Sequence, residues 1–365
     1  MSFDCLFLIN GLGLGNSTRC YAIIRQLLEK GVRVHVLTSH NGHFFFSDKP
    51  GLASLHTMEN FFYSGSHGKV SAWKTMAALP KLHRIALKKQ RRIAAVLDEV
   101  KPRLVVTDSE YTLSPVRRRR IPIVAVNNSD VVVSEYLAGT GLPLSIAGQF
   151  WVVEFMDYLF HKRYCDLVIS PALADVKPRH GRIRRVGPIV RHELAAAVAA
   201  AGPRGFPEPA RMKNVVFMMS GSIFATEVDV AACRFPFHID VVGRKGVDTA
   251  GVTFHGKLAN NIEYLLRADA LVVNGGFSAV SEAAVLRKPT LVLPVPGHAE
   301  QYMNALALAQ CGLGYNETAA TVVGRLEQVM AANAWAGLDA VRTMLPCDGA
   351  AQAADLIVNR AEGRA

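Results

Sequence analysis

The sequence lacks several features that would assign it to a familiar functional class. Its six cysteines, at positions 5, 20, 165, 233, 311 and 347, form no C-x-x-C or C-x-x-H spacing. That scatter argues against a metal site and indicates a reducing, cytoplasmic compartment. No uncharged apolar run approaches about 18 residues, so we expect no membrane-spanning helix. Residues 1–10 include Asp4 and are typical of a buried strand rather than of a signal peptide.

Nucleic-acid motifs are also absent, although the chain is basic, with a net charge of +11. The charge lies in the first half: residues 1–200 hold 27 Lys and Arg against 15 Asp and Glu, whereas the remainder holds 14 against 15. An anionic membrane surface or a phosphate-bearing acceptor would fit that half, and so would a solvated face with no partner. A D-x-D pair is missing too, so the sequence indicates no bound metal.

What the chain does contain is a repeated alternation of short apolar runs and helical segments over 365 residues. This alternation is typical of parallel sheets built from βαβ units, and the length suffices for two domains. One series of strands begins at Cys5–Ile9 and a second at Asn214–Met219, with an Ala-, Pro- and Gly-rich segment between them. We therefore predict a first domain over 1–195, a linker over 196–213 and a second domain over 214–349.

The most informative stretch is 272–314, where a predicted strand ends in a Gly-Gly turn, a helix follows, and a second strand leads into a polar loop. The residues at these strand ends and at the helix start are Asn274, Gly275, Gly276, Phe277, Ser278, Glu282, Glu300, Gln301 and Asn304. Because open α/β sheets bind ligands at such places, backbone N–H groups of 275–279 could hold a diphosphate. The carboxylate at 282 suits a ribose diol, and the amides at 301 and 304 suit sugar hydroxyls. One more structural βαβ unit is the plain alternative.

This pattern resembles the nucleotide-sugar signature of GT-B glycosyltransferases. It is most similar to family 28, which includes the enzyme that adds N-acetylglucosamine to the lipid precursor of peptidoglycan. The matching residues are Gly275, Gly276, Ser278, Glu282, Pro289, Pro294, Glu300, Gln301, Asn304 and Ala305. The resemblance implies a GT-B fold: an α/β protein with two Rossmann-like domains whose parallel sheets face each other across a cleft. It also implies that a helix over 350–360 crosses back onto the first domain.

The same resemblance assigns roles to individual residues. It implies that Glu282 holds the ribose hydroxyls and that Glu300 and Gln301 hold the donor sugar. Asn274 departs from the family, in which a His or Arg at this position donates a hydrogen bond to the diphosphate. An amide brings no charge, so we expect a weaker grip on the phosphate there.

The loop over 11–19, GLGLGNSTR, follows the first predicted strand and resembles the G-x-G-H-x-x-R loop of the same family. Gly13, Gly15 and Arg19 match, which implies that they contact the acceptor. The position of the usual general base, a histidine, holds Asn16 instead. Because an amide does not accept a proton near pH 7, three explanations stay open. Another residue is the base, or Asn16 only orients the acceptor, or the chain does not catalyse transfer.

Other side chains could take the proton. Asp108 and Glu110 follow a predicted strand, at a place that faces the cleft of this architecture. Asp108 would act as a base if partial burial raised its pKa, and it could instead cap the following turn. His40 and His43, after the second strand, are second choices. We predict Asp108, Asn16 and His40 as catalytic residues and Glu110 as an acceptor contact.

Two further segments resemble donor contacts. Ser220, Gly221 and Ser222 follow the first strand of the second domain, where small residues with free N–H groups form an anion nest. Phe254 and His255 end a later strand and correspond to the segment whose backbone grips the nucleotide base, with a structural turn as the alternative.

Aromatic triplets at 44–46 and 61–63 accompany a basic amphipathic helix over 81–95. Exposed aromatics beside such a helix are typical of a peripheral protein on an anionic membrane. The alternative is that the aromatics belong to the core and that the helix simply covers the sheet.

Together these features predict a cytoplasmic, metal-independent and cofactor-independent inverting glycosyltransferase. It would move a sugar from a UDP- or dTDP-sugar to a hydroxyl of a small-molecule or lipid acceptor, with the leaving diphosphate stabilised by helix N-termini and loop amides. Two alternatives stay open: a nucleotide-sugar hydrolase or epimerase on the same scaffold, and a non-catalytic partner protein that binds a nucleotide sugar.

Overall fold

The computed structural model describes residues 2–59, 65–66, 69–70, 79–201, 213–219, 237–258, 260–330 and 342–364. Within them the chain forms two parallel β-sheets, each packed on both faces, which confirms the α/β class. Among the helices that the structure describes, none combines the length and the hydropathy needed to cross a bilayer.

The first sheet is built from seven strands of the first half of the chain. They are β1 (Asp4–Ile9), β2 (Arg33–Thr38), β3 (Ser54–Thr57), β6 (Leu104–Asp108), β7 (Ile123–Val126), β8 (Leu167–Pro171) and β9 (Ile183–Val186). A separate hairpin consists of β4 (Gly65–Ser66) and β5 (Lys69–Val70). The spatial order is β3-β2-β1-β6-β7-β8-β9, with every pair parallel.

Helices cover both faces of this sheet. They are α1 (Leu14–Glu29), α2 (His40–Phe46), α3 (Leu79–Val100), α4 (Ser114–Arg118), α5 (Ser129–Ala138), α6 (Ala147–Gln149) and α7 (Phe155–Tyr164). The next helix, α8 (His192–Ala201), packs into a core of the second sheet. A 3-10 turn (Leu144–Ile146) precedes α6, and a π-helical turn (Phe150–Glu154) joins α6 to α7. The helical path is therefore continuous from 144 to 164.

The second sheet has six parallel strands. They are β10 (Asn214–Met218), β11 (His238–Val242), β12 (Val252–Gly256), β13 (Ala270–Asn274), β14 (Thr290–Leu293) and β15 (Gly314–Asn316), in the spatial order β12-β11-β10-β13-β14-β15. The helices around it are α9 (Ile262–Arg267), α10 (Phe277–Leu286), α11 (Ala299–Gln310) and α12 (Val322–Met330). One more helix, α13 (Gly349–Ala361), follows.

The first strand illustrates why the apolar runs are continuous rather than alternating. In β1, Cys5, Phe7 and Ile9 pack into one core, whereas Leu6 and Leu8 pack into the core on the opposite face. Parallel sheets are covered by helices on both faces, so every side chain of such a strand needs to be apolar. The same physical reason made the central strands visible in the sequence.

The last helix belongs to the core of the first sheet rather than the second. In α13, Ala353, Ala354 and Ile357 are fully buried in the cluster that contains Phe7 and Ile24. The predicted domain limits stay a prediction, and the two sheets lie inside them. The predicted linker begins within α8, which continues to residue 201, and residues 202–212 lie outside the described part.

The predicted aromatic surface is only partly present. Phe44 is 78 % exposed, but Phe46 is 1 % exposed, so the expectation for Phe46 was wrong. Phe45 and Phe46 stack edge-on against Tyr21 of α1, because α2 packs onto that helix with its apolar side. The second triplet, at 61–63, lies outside the described residues.

Candidate active site

Each sheet reverses its strand order at one point, between β1 and β6 in the first sheet and between β10 and β13 in the second. In open α/β sheets, ligands bind beyond the carboxyl ends of the strands at such a reversal. The loop after β1 begins at Asn10, and the last residue of β6 is Asp108. In the second sheet, β13 ends in Asn274 and leads directly into the Gly-Gly turn. Asp108, Asn274 and the loops that follow β1 and β13 therefore lie at the two reversal points.

Asn16, Arg19 and Asp108 form one connected group. Arg19 Nε lies 2.9 Å from Asp108 Oδ2, and Arg19 Nη2 lies 2.8 Å from Asp108 Oδ1, which is a bidentate pair. The same Nη2 lies 3.4 Å from Asn16 Oδ1, and Asn16 Nδ2 reaches the carbonyl oxygen of Asn10 at 3.5 Å. Asn16 thus sits in the first turn of α1 with its amide oriented by a buried ion pair.

The surroundings of Asp108 leave its carboxylate no room to act on an acceptor. Its side chain has no exposed surface, and its oxygens also accept hydrogen bonds from the Cys20 thiol at 3.3 Å and the Ser109 hydroxyl at 3.2 Å. Burial, reinforced by the Asp108 charge, raises the pKa of Cys20 well above its ordinary value, so the thiol stays protonated and donates. This geometry suits a residue that positions Arg19 better than one that exchanges protons.

The remaining first-half candidates lie in different environments. Glu110 is 1 % exposed and pairs with Lys89 of α3, with 2.6 Å between the Nζ and Oε2 atoms. The other oxygen of Glu110 accepts from the Thr112 amide at 2.8 Å, so both oxygens of the carboxylate are engaged within the first half of the chain. His40 is exposed and lines a cavity of about 490 Å³ together with Glu59, Lys88 and Arg92. The structure therefore brings Asn16 and Asp108 together and does not bring His40 to them.

The N-termini of α1 and α10 are in contact with each other. Each follows a glycine in extended conformation, Gly13 and Gly276, and neither has a capping side chain or an acidic residue in its first turn. Ser278 Oγ of α10 lies 3.4 Å from the carbonyl oxygen of Gly15 in α1. Two uncapped N-termini concentrate partial positive charge and unpaired N–H groups in one place. Such a place suits a diphosphate.

Gly275 of the Gly-Gly turn is required by packing. A Cβ atom there would lie 2.6 Å from the carbonyl oxygen of Gln301, closer than real contacts allow. Asn304 Nδ2 donates to the Gly275 carbonyl at 3.0 Å, and Gln301 Oε1 accepts from the Val295 amide at 3.0 Å. The turn and the start of α11 are thus one packed unit, so part of this signature is structural.

Two predicted donor contacts near the start of α10, Phe277 and Asn274, have buried side chains. Phe277 is 6 % exposed and packs into the core, so a contact from this residue to a ligand would come from its backbone. Asn274 is buried as well, and its Nδ2 lies 3.3 Å from the carbonyl oxygen of Leu293. The amide at this position is therefore held by the neighbouring strand β14.

Glu282 forms an ion pair that the sequence did not reveal. Arg191, just before α8, contacts both carboxylate oxygens, with Nε–Oε1 at 2.7 Å and Nη2–Oε2 at 2.9 Å. The same Nη2 lies 2.7 Å from Asn261 Oδ1. A carboxylate has about four acceptor positions, so this pair leaves Glu282 able to accept from a ribose diol.

The segment proposed to grip the base is held by a polar network. His255 Nε2 lies 2.6 Å from Asp240 Oδ1, and His255 Nδ1 lies 3.2 Å from the Tyr264 hydroxyl. Both ring nitrogens are engaged, so contacts to a base would come from the backbone. Phe254 is half-buried at the same strand end. Ser220, Gly221 and Ser222 lie outside the described residues.

Two contacts connect the first half of the chain to the start of α11, and a third extends one of them to Glu154. Asn128, after β7, donates to Glu300 Oε1 at 3.3 Å. Gln149 accepts from the Ala299 amide at 2.8 Å and donates to Glu154 Oε1 at 2.7 Å. Glu154 is 6 % exposed, and burial together with the charge of Glu300 raises its pKa to about 8.

A second buried pair lies further along α7. Asp157 and His161 are in contact, with 3.2 Å between Oδ1 and Nδ1, and Asp157 Oδ2 accepts from Asn127 at 2.8 Å. Although burial alone would raise it, His161 and these hydrogen bonds hold the pKa of Asp157 below its ordinary value. Burial alone would lower the pKa of His161, but the Asp157 charge raises it.

Sequence reasoning missed Arg191, Asn128, Gln149 and the polar side of α7. The only available signal for the last was the spacing of Glu154, Asp157 and His161, at i, i+3 and i+7 within the apolar stretch FWVVEFMDYLFH. That spacing places them on one side of a helix. No motif accompanies it.

Comparisons with known proteins identify the family. Residues 3–143 and 181–331 match the family model described as Glycosyl transferase family 1. An uncharacterized glycosyltransferase of Methanosarcina mazei is 23 % identical over 333 residues, which is 85 % of each chain. The UDP-N-acetylglucosamine--N-acetylmuramyl-(pentapeptide) pyrophosphoryl-undecaprenol N-acetylglucosamine transferase of Nocardioides sp. is 27 % identical over 241 residues, 61 % of each chain.

Solved structures of glycosyltransferases share the architecture. Acinetobacter baumannii MurG superposes with a TM-score of 0.60 at 14 % identity, covering 98 % of this chain and 99 % of that one. The calicheamicin glycosyltransferase CalG4 superposes with a TM-score of 0.62 at 18 % identity, covering 100 % and 99 %. These similarities confirm the GT-B fold expected from the resemblance. With the family model spanning both sheets, the chain belongs to Glycosyl transferase family 1 and is a GT-B glycosyltransferase.

Proposed function

We propose that this protein transfers a sugar, with inversion, from a UDP- or dTDP-sugar to an acceptor hydroxyl. The observation that carries the proposal is the pair of uncapped helix N-termini, at Leu14 and Phe277, which meet where Ser278 contacts Gly15. A diphosphate bound beside this contact would receive N–H groups from both halves of the molecule. The charge that develops as the diphosphate leaves would be stabilised there by fixed dipoles, without a metal.

The donor would lie against the second sheet. Glu282 would accept the ribose hydroxyls while Arg191 keeps its carboxylate in place. Glu300 and Gln301 would hold the sugar. The Nocardioides relative is named for a UDP-N-acetylglucosamine donor, and a structural neighbour, LpCGTa, was solved in complex with UDP. Both names support a uridine nucleotide as the first donor to test.

The acceptor would lie against the first sheet. Asn16 presents an amide at the place where a base is usual, and Arg19 with Asp108 keeps that amide oriented. An oriented amide can donate a hydrogen bond to the acceptor oxygen, but it cannot take the proton. In this proposal Asn16 positions the acceptor and Asp108 positions Asn16 through Arg19.

A thermal-shift panel of UDP-, dTDP- and GDP-sugars tests the donor assignment. Glu282→Ala should weaken binding of the best nucleotide sugar by roughly 30- to 100-fold, because charged hydrogen bonds to the ribose contribute about 2–3 kcal/mol. The matched control is Glu263→Ala, which removes an exposed carboxylate of α9. Unchanged nucleotide affinity in Glu282→Ala would contradict the assignment.

A non-catalytic binding protein is the second candidate, and Asn16 is the observation that favours it. It predicts donor binding with no release of nucleotide, with water or with any offered acceptor. Asn16→His would then restore turnover by supplying the missing base. If wild type releases UDP or dTDP at a measurable rate, this candidate is eliminated.

We also propose that an anionic membrane surface at the cytoplasmic side is a partner, through an exposed apolar face on the helical path 144–164. Val152, Met156 and Leu159 lie at i, i+4 and i+7 on one side, and Val152 is 73 % exposed. Basic residues end this path, and Arg117 stacks on the Tyr164 ring beside them, 5.0 Å from its centroid. An apolar face with a basic rim fits anionic lipid, and would bring a lipid acceptor towards the cleft.

Vesicle sedimentation tests this surface. Val152→Glu with Met156→Glu should abolish binding to vesicles that contain phosphatidylglycerol, because the apolar face becomes charged. The matched control is Val247→Glu, an exposed valine (81 %) near the second sheet. Equal binding by the double variant and wild type would reject the surface, and loss of binding at high salt would support its electrostatic part.

A further inference from the structure

We infer that Glu154 is the base that removes the proton from the acceptor hydroxyl. The inference deepens the proposed function and rests on it. Three features carry it: the placement of Glu154 by a π-helical turn, its distance from the donor-sugar residue Glu300, and its burial. None of these was visible in the sequence.

A π-helical turn of the backbone determines where the Glu154 side chain lies. Glu154 is the last residue of the π-helical turn Phe150–Glu154, between α6 and α7. One extra residue in a turn rotates the following side chains relative to an ideal helix, and such turns are frequent at functional sites. Here the turn directs Glu154 inward, while Val152 on the same turn is exposed.

Gln149 fixes the side chain and connects it to the other half of the molecule. It donates to Glu154 Oε1 at 2.7 Å and accepts from the Ala299 amide, the first residue of α11, at 2.8 Å. Because Gln149 Oε1 is bound to the donor half, the distance between Glu154 and the donor-sugar residues is set by direct contacts.

Glu154 lies close to two polar side chains of the donor half. One ligand atom each of Glu154, His298 and Glu300 lie within 4.8 Å of one another. A hydroxyl that forms O–H···O hydrogen bonds of about 2.7 Å to two such atoms would join atoms separated by up to about 5 Å. Within the described part of the chain, His298 Nδ1 is buried and makes no hydrogen bond. An acceptor hydroxyl placed here would lie between the first half and the sugar held by Glu300.

The electrostatics suit proton transfer near neutral pH. Burial is the main reason that the pKa of Glu154 is raised to about 8, and the charge of Glu300 adds to it. Asp157 raises it further, whereas the hydrogen bond from Gln149 lowers it. His298 faces the same space. A base is most effective when its pKa lies near the working pH.

Other candidates are less well placed. Both oxygens of Asp108 are bound to Arg19, and Glu110 is paired with Lys89. His161 lies seven residues further along the helix from Glu154, about 10 Å at 1.5 Å per residue. Aromatic rings of Tyr111 and Phe160 flank it, with centroids 6.0 and 5.5 Å away.

The step balances as a single displacement. The acceptor oxygen forms a bond to the anomeric carbon from the side opposite the nucleotide, and the bond from that carbon to the diphosphate oxygen breaks. The electron pair of the broken bond goes to the diphosphate, beside the two helix N-termini. The proton of the hydroxyl goes to a Glu154 oxygen and is returned to water when the products leave.

Release of nucleotide with water as the acceptor tests the assignment without knowledge of the natural acceptor. The donor is whichever UDP- or dTDP-sugar gives the largest thermal shift. Glu154→Gln should lower the release rate by roughly 10²- to 10⁴-fold and leave donor affinity within about threefold. The matched control is Glu317→Gln, a buried glutamate paired with Arg325 at the edge of the second sheet. It should keep the wild-type rate.

Two readouts separate a base from a structural residue. The wild-type rate should rise with pH and level off near the pKa of Glu154, and Glu154→Gln should lose that rise. Sodium azide attacks without giving up a proton, so Glu154→Gln should transfer sugar to azide within a few-fold of wild type. A variant defective with azide as well would show that Glu154 is structural and would overturn the inference.

The remaining outcomes distinguish this inference from the proposed function. Donor binding with an unchanged release rate in Glu154→Gln would overturn the base assignment alone, whereas no binding of any nucleotide sugar would contradict the proposed function. Binding of Mn²⁺ or Zn²⁺ that requires Glu154, with turnover lost in EDTA, would identify a metal site and overturn the inference. The free energy of unfolding, measured without substrate, supplies an independent test. If it changes with pH in the same way in wild type and in Glu154→Gln, the base assignment is overturned.

Discussion

The ionisation of Glu154 should make this protein less stable as the pH rises towards 8. In the folded chain the pKa of this carboxyl is raised to about 8, against 4.5 for a free glutamate, mainly by burial. Between these values the unfolded chain releases the proton while the folded chain keeps it. The folded state therefore binds more protons, and stability falls with rising pH in that window. The stabilisation is fully present below the unfolded pKa and is lost by the folded pKa.

The size of the effect follows from the shift. Each pKa unit between the folded and the unfolded chain corresponds to about 1.4 kcal/mol. The free energy of unfolding should therefore fall by about 1.4 kcal/mol per pH unit through this one group. Over the whole window the loss approaches about 5 kcal/mol, a large fraction of the stability of a typical domain. Glu154→Gln has the same shape and no titrating proton, so it should not show this loss.

Urea unfolding followed by tryptophan fluorescence, at steps between about pH 5 and 8, measures the difference. Subtracting the free energy of unfolding of Glu154→Gln from that of wild type at each pH cancels the titration of groups common to both proteins. This difference should change by about 1.4 kcal/mol per pH unit. Glu317→Gln controls for the loss of a buried carboxylate elsewhere. A flat difference for Glu154→Gln, or the same slope in the control, would refute the reasoning.

Three further outcomes are expected. Asp108→Asn should destabilise the protein by about 3–5 kcal/mol in urea unfolding, because Arg19 is left buried without its counter-charge; a loss below about 1 kcal/mol would contradict the pairing. Gly275→Ala should lower both the melting temperature and the donor affinity, because the new Cβ would clash with Gln301. Gly276→Ala is the control, since a Cβ there meets open space and should preserve stability. Equal effects of the two variants would show that packing does not explain the glycine at 275. Gln149→Ala should raise the pKa of Glu154 further, seen as a wider pH window of falling stability; an unchanged window would mean that this hydrogen bond has no influence.

The parts of the fold that the sequence predicted are those with local signals. The central strands are recognisable in the sequence as apolar runs because both of their faces are buried, as in β1. The start of α10 directly after the Gly-Gly turn was predicted, since Gly275 and Gly276 interrupt the apolar pattern there. Short edge strands such as β3 and β15 carry too few buried residues to stand out.

The contacts inside the site were not predictable, because they join residues far apart in the chain. Arg19 and Asp108 are separated by 89 positions, and Arg191 and Glu282 by 91. An acidic residue at a strand end has the same sequence signature whether it caps a turn, pairs with an arginine or accepts a proton. Which of these occurs depends on the order of strands in the sheet, which composition and periodicity do not determine.

The position of α13 sets a rule for engineering the acceptor side. Its residues Ala353 and Ile357 complete the core under β1 although they are encoded at the far end of the chain. A hybrid enzyme that exchanges only residues 1–195 would join a new sheet to a helix shaped for the old one, and the mismatch would lie in the core. An exchange of acceptor specificity between relatives should therefore carry two pieces of chain, the first sheet and residues 349–361, so that each half keeps its own packing surface.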